Sequence, residues 1–220
     1  MLSREVLLAD VRDRLFGAGR GSPQATFGFE IEFIPQRHID RGITPLFGAG
    51  GTLDFVRRFA KRQDWAEHAT REQAPWFHTP AGGSITFEPG GQIEYSTPTY
   101  ADATLLLRDA RAAAAGLIDE AARAGIDLVT SGIDPYNDST AAPLQLHTKR
   151  YESMARCFAR IGPAGARMMR QTTAVQVNIG LGPDAYARWR LLNKLAPVLT
   201  ALFANSSQYA GRDTGYASYR

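Results

Sequence analysis

The chain has 220 residues, 44% hydrophobic and 21% charged, with a formal charge of +3 and a sequence isoelectric point near 9.2. That is enough apolar material for a proper core, in one domain or two small ones, and it excludes a disordered chain. The basic excess comes from scattered arginines rather than a run of like charge, which suits small anionic ligands and argues against a nucleic-acid partner.

Ser3 to Phe16 places Val6, Leu7, Val11 and Leu15 at helical spacing before the glycine-rich GAGRGS. This amphipathic start is unlike a signal peptide, and no apolar run reaches the length of a membrane span, so a cytoplasmic protein with no membrane partner is expected. GAGRGS lacks the Lys-Ser/Thr ending of a phosphate-binding loop and follows no strand, so a nucleotide would be held by metal and sheet. Phe27 to Pro35, FGFEIEFIP, reads as a strand with Phe29, Ile31 and Phe33 on one face and Glu30 and Glu32 on the other. Leu53 to Ala60 is predicted as a helix capped by Thr52, and an irregular piece carrying Trp65 and Trp76 follows.

Gly83 to Pro98, GSITFEPGGQIEYSTP, is the most informative stretch, because a Pro-Gly-Gly turn separates two arms that each carry a carboxylate. Thr86 and Glu88 share a face on the first arm, and Gln92 and Glu94 share one on the second; Ile85, Phe87, Ile93 and Tyr95 point the other way. Ala101 to Ala124 is the clearest helix, with Asp102 near its start and Gly125 as its stop. A short strand, Ile126 to Thr130, and the loop SGIDPYNDSTAAP come next. Thr148 to Ile161 is helical; it contains the single Cys157, which excludes a disulfide framework, implies a reducing compartment and reads as a structural residue in an apolar setting. After a short helical ARMMR, Thr172 to Gly180 puts Thr173, Val175, Val177 and Ile179 on one side and Thr172, Gln176 and Asn178 on the other. A last helix from about Pro183 to Asn205 contains Pro197, which should kink or divide it.

Hairpin chemistry and two-faced strands predict an α+β fold, an antiparallel sheet with helices packed on its apolar face. Taken singly, each strand also reads as an ordinary strand with a core face and a solvated face. Together, the two acidic strands have no Lys or Arg between their carboxylates, and like charges held close on a sheet repel unless a cation neutralises them. Mg²⁺ or Mn²⁺ suits carboxylate oxygens and keeps positions open for phosphate.

The segments GFEIE, EPGGQIE, KRYESM, MMRQTTAVQVN and ALFANSSQYAGRDTGYASYR, in this order, resemble the glutamate-cysteine ligases of the plant and bacterial type, including the actinobacterial branch of ergothioneine synthesis. The resemblance covers Phe27 to Arg220. It implies a glutamine-synthetase-like fold whose antiparallel sheet holds ATP, divalent metal, glutamate and cysteine. It further implies ATP-dependent phosphorylation of the glutamate γ-carboxylate and attack by the cysteine amine, giving γ-glutamylcysteine for glutathione or ergothioneine synthesis. Glu30, Glu32, Glu88 and Glu94 match the family's acidic catalytic and metal-binding positions. Arg150 and Arg220 match substrate-contacting arginines, and Gln176 and Asn178 match polar positions lining the pocket. The chain departs from the family at Gln171-Thr172, where many members have Arg-Thr, and at Gly180, where they have Asp; a missing charge contact is the expected consequence. Residues 1–220 are expected to form a single, truncated catalytic domain corresponding to the family's N-terminal half, either a fragment or a truncated gene product. A related ligase using another amine, or a non-catalytic remnant that binds metal and nucleotide, remains an alternative, and the sequence leaves the oligomeric state open.

Overall fold

Alternating aromatic or β-branched and polar residues make Phe27–Arg37 (β1) an eleven-residue strand, and it organises the structure. The computed structural model describes residues 3–16, 25–69 and 74–220. Within them, β1 pairs antiparallel with Ile93–Ser96 (β5) on one side and, along successive stretches, with Val175–Ile179 (β7) and Ile126–Val129 (β6). The sheet extends beyond β5 through Ser84–Phe87 (β4), Trp76–His78 (β3) and Ala66–His68 (β2), all antiparallel, to make seven strands.

The apolar face is covered by two helices, Thr52–Arg62 (α2) and Ala103–Arg123 (α3), which follow Arg4–Leu15 (α1) in chain order. Phe33, Phe77, Ile85, Ile93 and Tyr95 from the strands pack with Phe55, Val56 and Phe59 of α2 and Leu117 of α3 in one buried cluster. Each large side chain buried there contributes about 1.5–3 kcal/mol. Trp65 closes the cluster, stacked on Tyr95 at 5.9 Å and edge-on to Phe59 at 5.1 Å. The buried Glu120 of α3 is held by Arg58, Arg62 and Arg123, which ties α3 to α2.

Asp102 caps α3 as its position suggests, accepting from the Thr104 N–H at 2.6 Å. The α2 cap differs: Gly51 is the N-cap, and Thr52 is the first helical residue, buried with its hydroxyl unpaired. The piece carrying Trp65 and Trp76 is not wholly irregular, since it contributes the three-residue strands β2 and β3. The sequence from Gln208 to Asp213 forms a further small hairpin of β8 (Gln208–Tyr209) and β9 (Arg212–Asp213). GAGRGS lies outside the described residues.

Helices on one face only is an expectation that holds for α2 and α3 and fails elsewhere. Lys149–Ile161 (α4) begins beside Thr86 and Glu88, on the polar side of the sheet, and packs chiefly against Pro163–Gln171 (α5). Cys157 is exposed on α4, which buries none of its residues, so a core role for this thiol is excluded. Ala185–Leu202 (α6) runs through the interior Pro197 as one helix, so the proline removes one N–H from the ladder without dividing the element. Its Leu191, Val198 and Leu202 are exposed, as are Val6, Leu7, Leu8 and Val11 of α1, whose three consecutive apolar residues go round the helix instead of forming one stripe. The apolar side of β7 is uncovered too, with Val175 61%, Val177 58% and Ile179 41% exposed. No helix of the described residues is long and apolar enough to cross a membrane.

Candidate active site

Register decides where the carboxylates go. Glu32 lies directly opposite Glu94 in the β1–β5 ladder, and Glu94 lies opposite Thr86 across β4. One step along the same face, Glu30 is flanked by Ser96 on one side and Gln176 on the other, while Gly28 stands opposite Asn178. Directly opposed residues have Cβ atoms about 4.5–5.5 Å apart, so Glu32 and Glu94 are close neighbours. Glu88 follows β4 by one residue and shares the face of Thr86; its N–H donates to Gln92 O at 2.9 Å and its C=O accepts from Gly91 N–H at 2.8 Å, closing the Pro-Gly-Gly turn.

Two glycines make that turn possible. Gly91 has φ +86°, a conformation that L side chains rarely adopt, and a Cβ on Gly90 would overlap the Arg170 backbone. Gln92, buried under the turn, donates to Thr172 O at 3.1 Å and so fastens the hairpin to the chain entering β7. The turn, α5 and β7 are therefore one unit, and the position of Glu88 is fixed by packing beneath it.

Three of the four carboxylates have neutral partners. Glu30 accepts from Asn178 Nδ2 at 3.1 Å, Glu32 from the Ala174 N–H at 2.8 Å, and Glu94 from Thr86 Oγ1 at 3.1 Å and Ser96 Oγ at 3.4 Å. Among the described residues, the ion pairs form elsewhere, on groups such as Asp40, Glu67, Glu120 and Asp127. Burial pushes the Glu88 carboxyl up to about 7, with the charges of Glu94 and Glu32 adding to the rise and Arg150 opposing it. Glu32 is raised mainly by burial and also by Glu94, against the lowering effect of the Ala174 N–H and Arg220. Glu94 is raised by burial first and by Glu30 as well.

A cavity of about 720 Å³ opens between the end of β4 and the start of α4, with Trp76, Glu88, His147, Lys149, Arg150 and Tyr151 among its lining. Arg150 thus reaches the rim of the acidic face, where its guanidinium lies 5.5 Å over the Tyr151 ring. Arg220 approaches from the opposite side, donating from Nη1 to Thr173 O at 3.0 Å. Gln176 and Asn178 sit on the same face but are exposed on β7. All eight residues singled out in the sequence therefore lie on or at the edge of one surface. The supporting Thr86, Ser96 and the Ala174 N–H were not among them; period-2 parity marks the first two, and no sequence signal marks a backbone donor. Gln171, where a lost charge contact was expected, is fully buried, donating to Asn137 O at 2.8 Å and accepting from Tyr209 Oη at 3.2 Å. It braces the scaffold and does not face the cavity.

Carboxylate oxygens form a hard donor set, and Glu32, Glu88 and Glu94 are raised above their ordinary range first by burial and then by neighbouring carboxylates; both features fit Mg²⁺ or Mn²⁺. As arranged, no three acidic, histidine or cysteine side chains among the described residues come together tightly enough to enclose one ion. The surface is an open platform, not a closed cage.

Residues 26–220 match the Glutamate-cysteine ligase family 2 (GCS2). The chain is 39% identical over 145 residues to the glutamate-cysteine ligase EgtA of Mycolicibacterium smegmatis, covering 64% of this chain and 34% of that protein. It is 36% identical over 167 residues to EgtA of Mycobacterium tuberculosis, covering 73% and 37%. With the chloroplastic glutamate-cysteine ligase A of Oryza sativa subsp. japonica it shares 28% identity over 209 residues, 91% of this chain and 39% of the relative. The chain thus spans between about a third and two fifths of the length of these relatives. The acidic platform, with the turn and strands that build it, lies wholly within the matched region, and the chain belongs to glutamate-cysteine ligase family 2.

Proposed function

We propose that residues 1–220 form one glutamine-synthetase-like catalytic unit that serves ATP-dependent joining of the glutamate γ-carboxylate to the amine of cysteine, through an acyl phosphate, giving γ-glutamylcysteine. The observation that carries this reading is the direct opposition of Glu32 and Glu94, with Glu30 and Glu88 on the same face. Glu30, Glu32, Glu88 and Glu94 would hold Mg²⁺ or Mn²⁺, which supplies charge neutralisation for phosphoryl transfer. The chain's own part is positioning. Arg220, beside Glu32, is placed to grip a glutamate carboxylate with a bidentate fork, and Arg150 with Lys149 at the cavity rim suits phosphate or carboxylate oxygens. Asn178 holds the Glu30 carboxylate in place, and Gln176 adds an amide to the pocket wall. The single free thiol supports a reducing, cytoplasmic setting for the protein.

A second reading, a metal- and nucleotide-binding unit that does not turn over by itself, is favoured by the uncovered apolar side of β7 and α6. Coupled ADP release with ATP, Mg²⁺ and glutamate, with and without cysteine, separates the two. Cysteine-dependent ADP release that Glu94→Gln abolishes supports the ligase. Metal-dependent ATP binding without turnover supports the binding unit. Binding of neither metal nor ATP would overturn both. Replacing cysteine with other amines in the same assay tests the related-ligase alternative.

A further inference from the structure

We propose that Arg167 is a positioning residue for Arg220, holding the 206–220 segment against the acidic platform through a clamp of two tyrosines. The inference rests on the substrate role proposed for Arg220. Arg167 lies on α5, whose last residue, Gln171, leads directly into the strand that carries Gln176 and Asn178. Its guanidinium carbon is 4.5 Å from the centre of the Tyr219 ring and 5.4 Å from that of Tyr209, and Nη1 donates to the Tyr219 hydroxyl at 2.7 Å. The two rings are themselves 5.3 Å apart, so the cation meets a pair of aromatic faces.

Both tyrosines are anchored at their far ends. The Tyr209 hydroxyl accepts from the Ser139 N–H at 2.9 Å and donates to the buried Gln171 at 3.2 Å. The Tyr219 N–H donates to Ser206 O at 3.0 Å and Ser206 Oγ at 3.2 Å, and the Arg220 N–H reaches the same Oγ at 3.4 Å. Ser206 is itself buried. The Arg220 side chain, by contrast, is exposed and makes, among the described residues, a single hydrogen bond, to Thr173 O. A long cation so lightly held keeps its place only if the backbone beneath it is fixed, and the clamp on the neighbouring Tyr219 does this. Gln171 acts in the same device, since its side chain joins Tyr209 to the loop at Asn137.

The test uses the full chain with Arg167→Met, which keeps length but removes the cation, Tyr219→Phe, which keeps the ring but removes the hydroxyl, and Arg220→Met alone and combined with Arg167→Met. Two quantities are measured: amide hydrogen exchange at Tyr219 and Arg220, and L-glutamate affinity by calorimetry, with ADP and Mg²⁺ as the control ligand. Arg167→Met is expected to speed exchange at both amides by about tenfold or more, leaving β1 and β5 unchanged, and to weaken glutamate by about ten- to a hundredfold with little effect on nucleotide. The double variant should bind glutamate no more weakly than Arg220→Met, because the clamp acts only through Arg220. Additive losses in the double variant, unchanged exchange in Arg167→Met, or faster exchange with unchanged glutamate affinity would overturn the proposal. If Arg167→Met fails to fold, Tyr219→Phe carries the same comparisons. A wild-type chain that does not bind glutamate would overturn the substrate role of Arg220, and the exchange arm would still decide for or against the clamp.

Discussion

Replacing Glu88 with Gln should stabilise the metal-free protein at neutral and alkaline pH. Glu88 titrates at about 7 instead of 4.5, chiefly because it is partly buried and secondarily because Glu94 and Glu32 are near. Below about pH 4.5 the group is protonated in folded and unfolded chains alike, and the substitution is close to neutral. Between 4.5 and 7 the native state keeps a proton that the unfolded chain has released, so stability declines as pH rises, and above 7 the whole cost is present. At 1.36 kcal/mol per pH unit this sets an upper bound of about 3.4 kcal/mol, and solvent screening of a side chain that is still partly exposed reduces it to about 1–2 kcal/mol. Glu32 and Glu94, raised for the same reasons, give the slope the same sign. Gln is isosteric and uncharged. Thermal melts of both proteins in EDTA, from pH 4 to 8, should therefore diverge with pH, with Glu88→Gln melting higher at pH 8 by about 2–8 °C. A difference that stays constant with pH, or a lower melting temperature for Glu88→Gln at pH 8, would refute the argument that burial and like charge burden this carboxylate.

Arg220→Lys keeps the charge but loses the planar fork, so glutamate affinity should fall about tenfold to a hundredfold while nucleotide affinity holds; calorimetry with each ligand checks both. Gly90→Ala drives a methyl into the Arg170 backbone and should cost about 1–3 kcal/mol in urea unfolding, whereas unchanged stability would mean that the turn does not pack on α5 as described.

Parity made the acidic face legible. In FGFEIEFIP and in the two arms around Pro-Gly-Gly, alternation alone puts the four glutamates opposite the core residues, and the observed register sets Glu32 against Glu94. It could not reveal which apolar faces find a partner: Val175, Val177 and Ile179 alternate as a core strand does, yet their side is exposed, because burial depends on what packs there and not on period. Cys157 misled for the same reason, an apolar neighbourhood in sequence on a helix that buries nothing. Strands as short as β2 and β3 carry too few residues for alternation to show, and the pairing of β2 with β3 and of β3 with β4 makes them. Gln171 read as a lost substrate contact because the missing charge was visible, whereas its bonds go to Asn137 in a loop and Tyr209 in β8, both distant in sequence.

Divalent-cation binding by the chain tests the platform most directly. Titration of Mn²⁺, followed by the loss of its free electron-spin signal, should show binding that tightens in the presence of ATP and weakens by about tenfold or more in Glu32→Gln and in Glu94→Gln, with Mg²⁺ competing. Equal Mn²⁺ binding by the wild type and both variants, or no binding with ATP and glutamate present, would contradict a metal-holding role for these carboxylates.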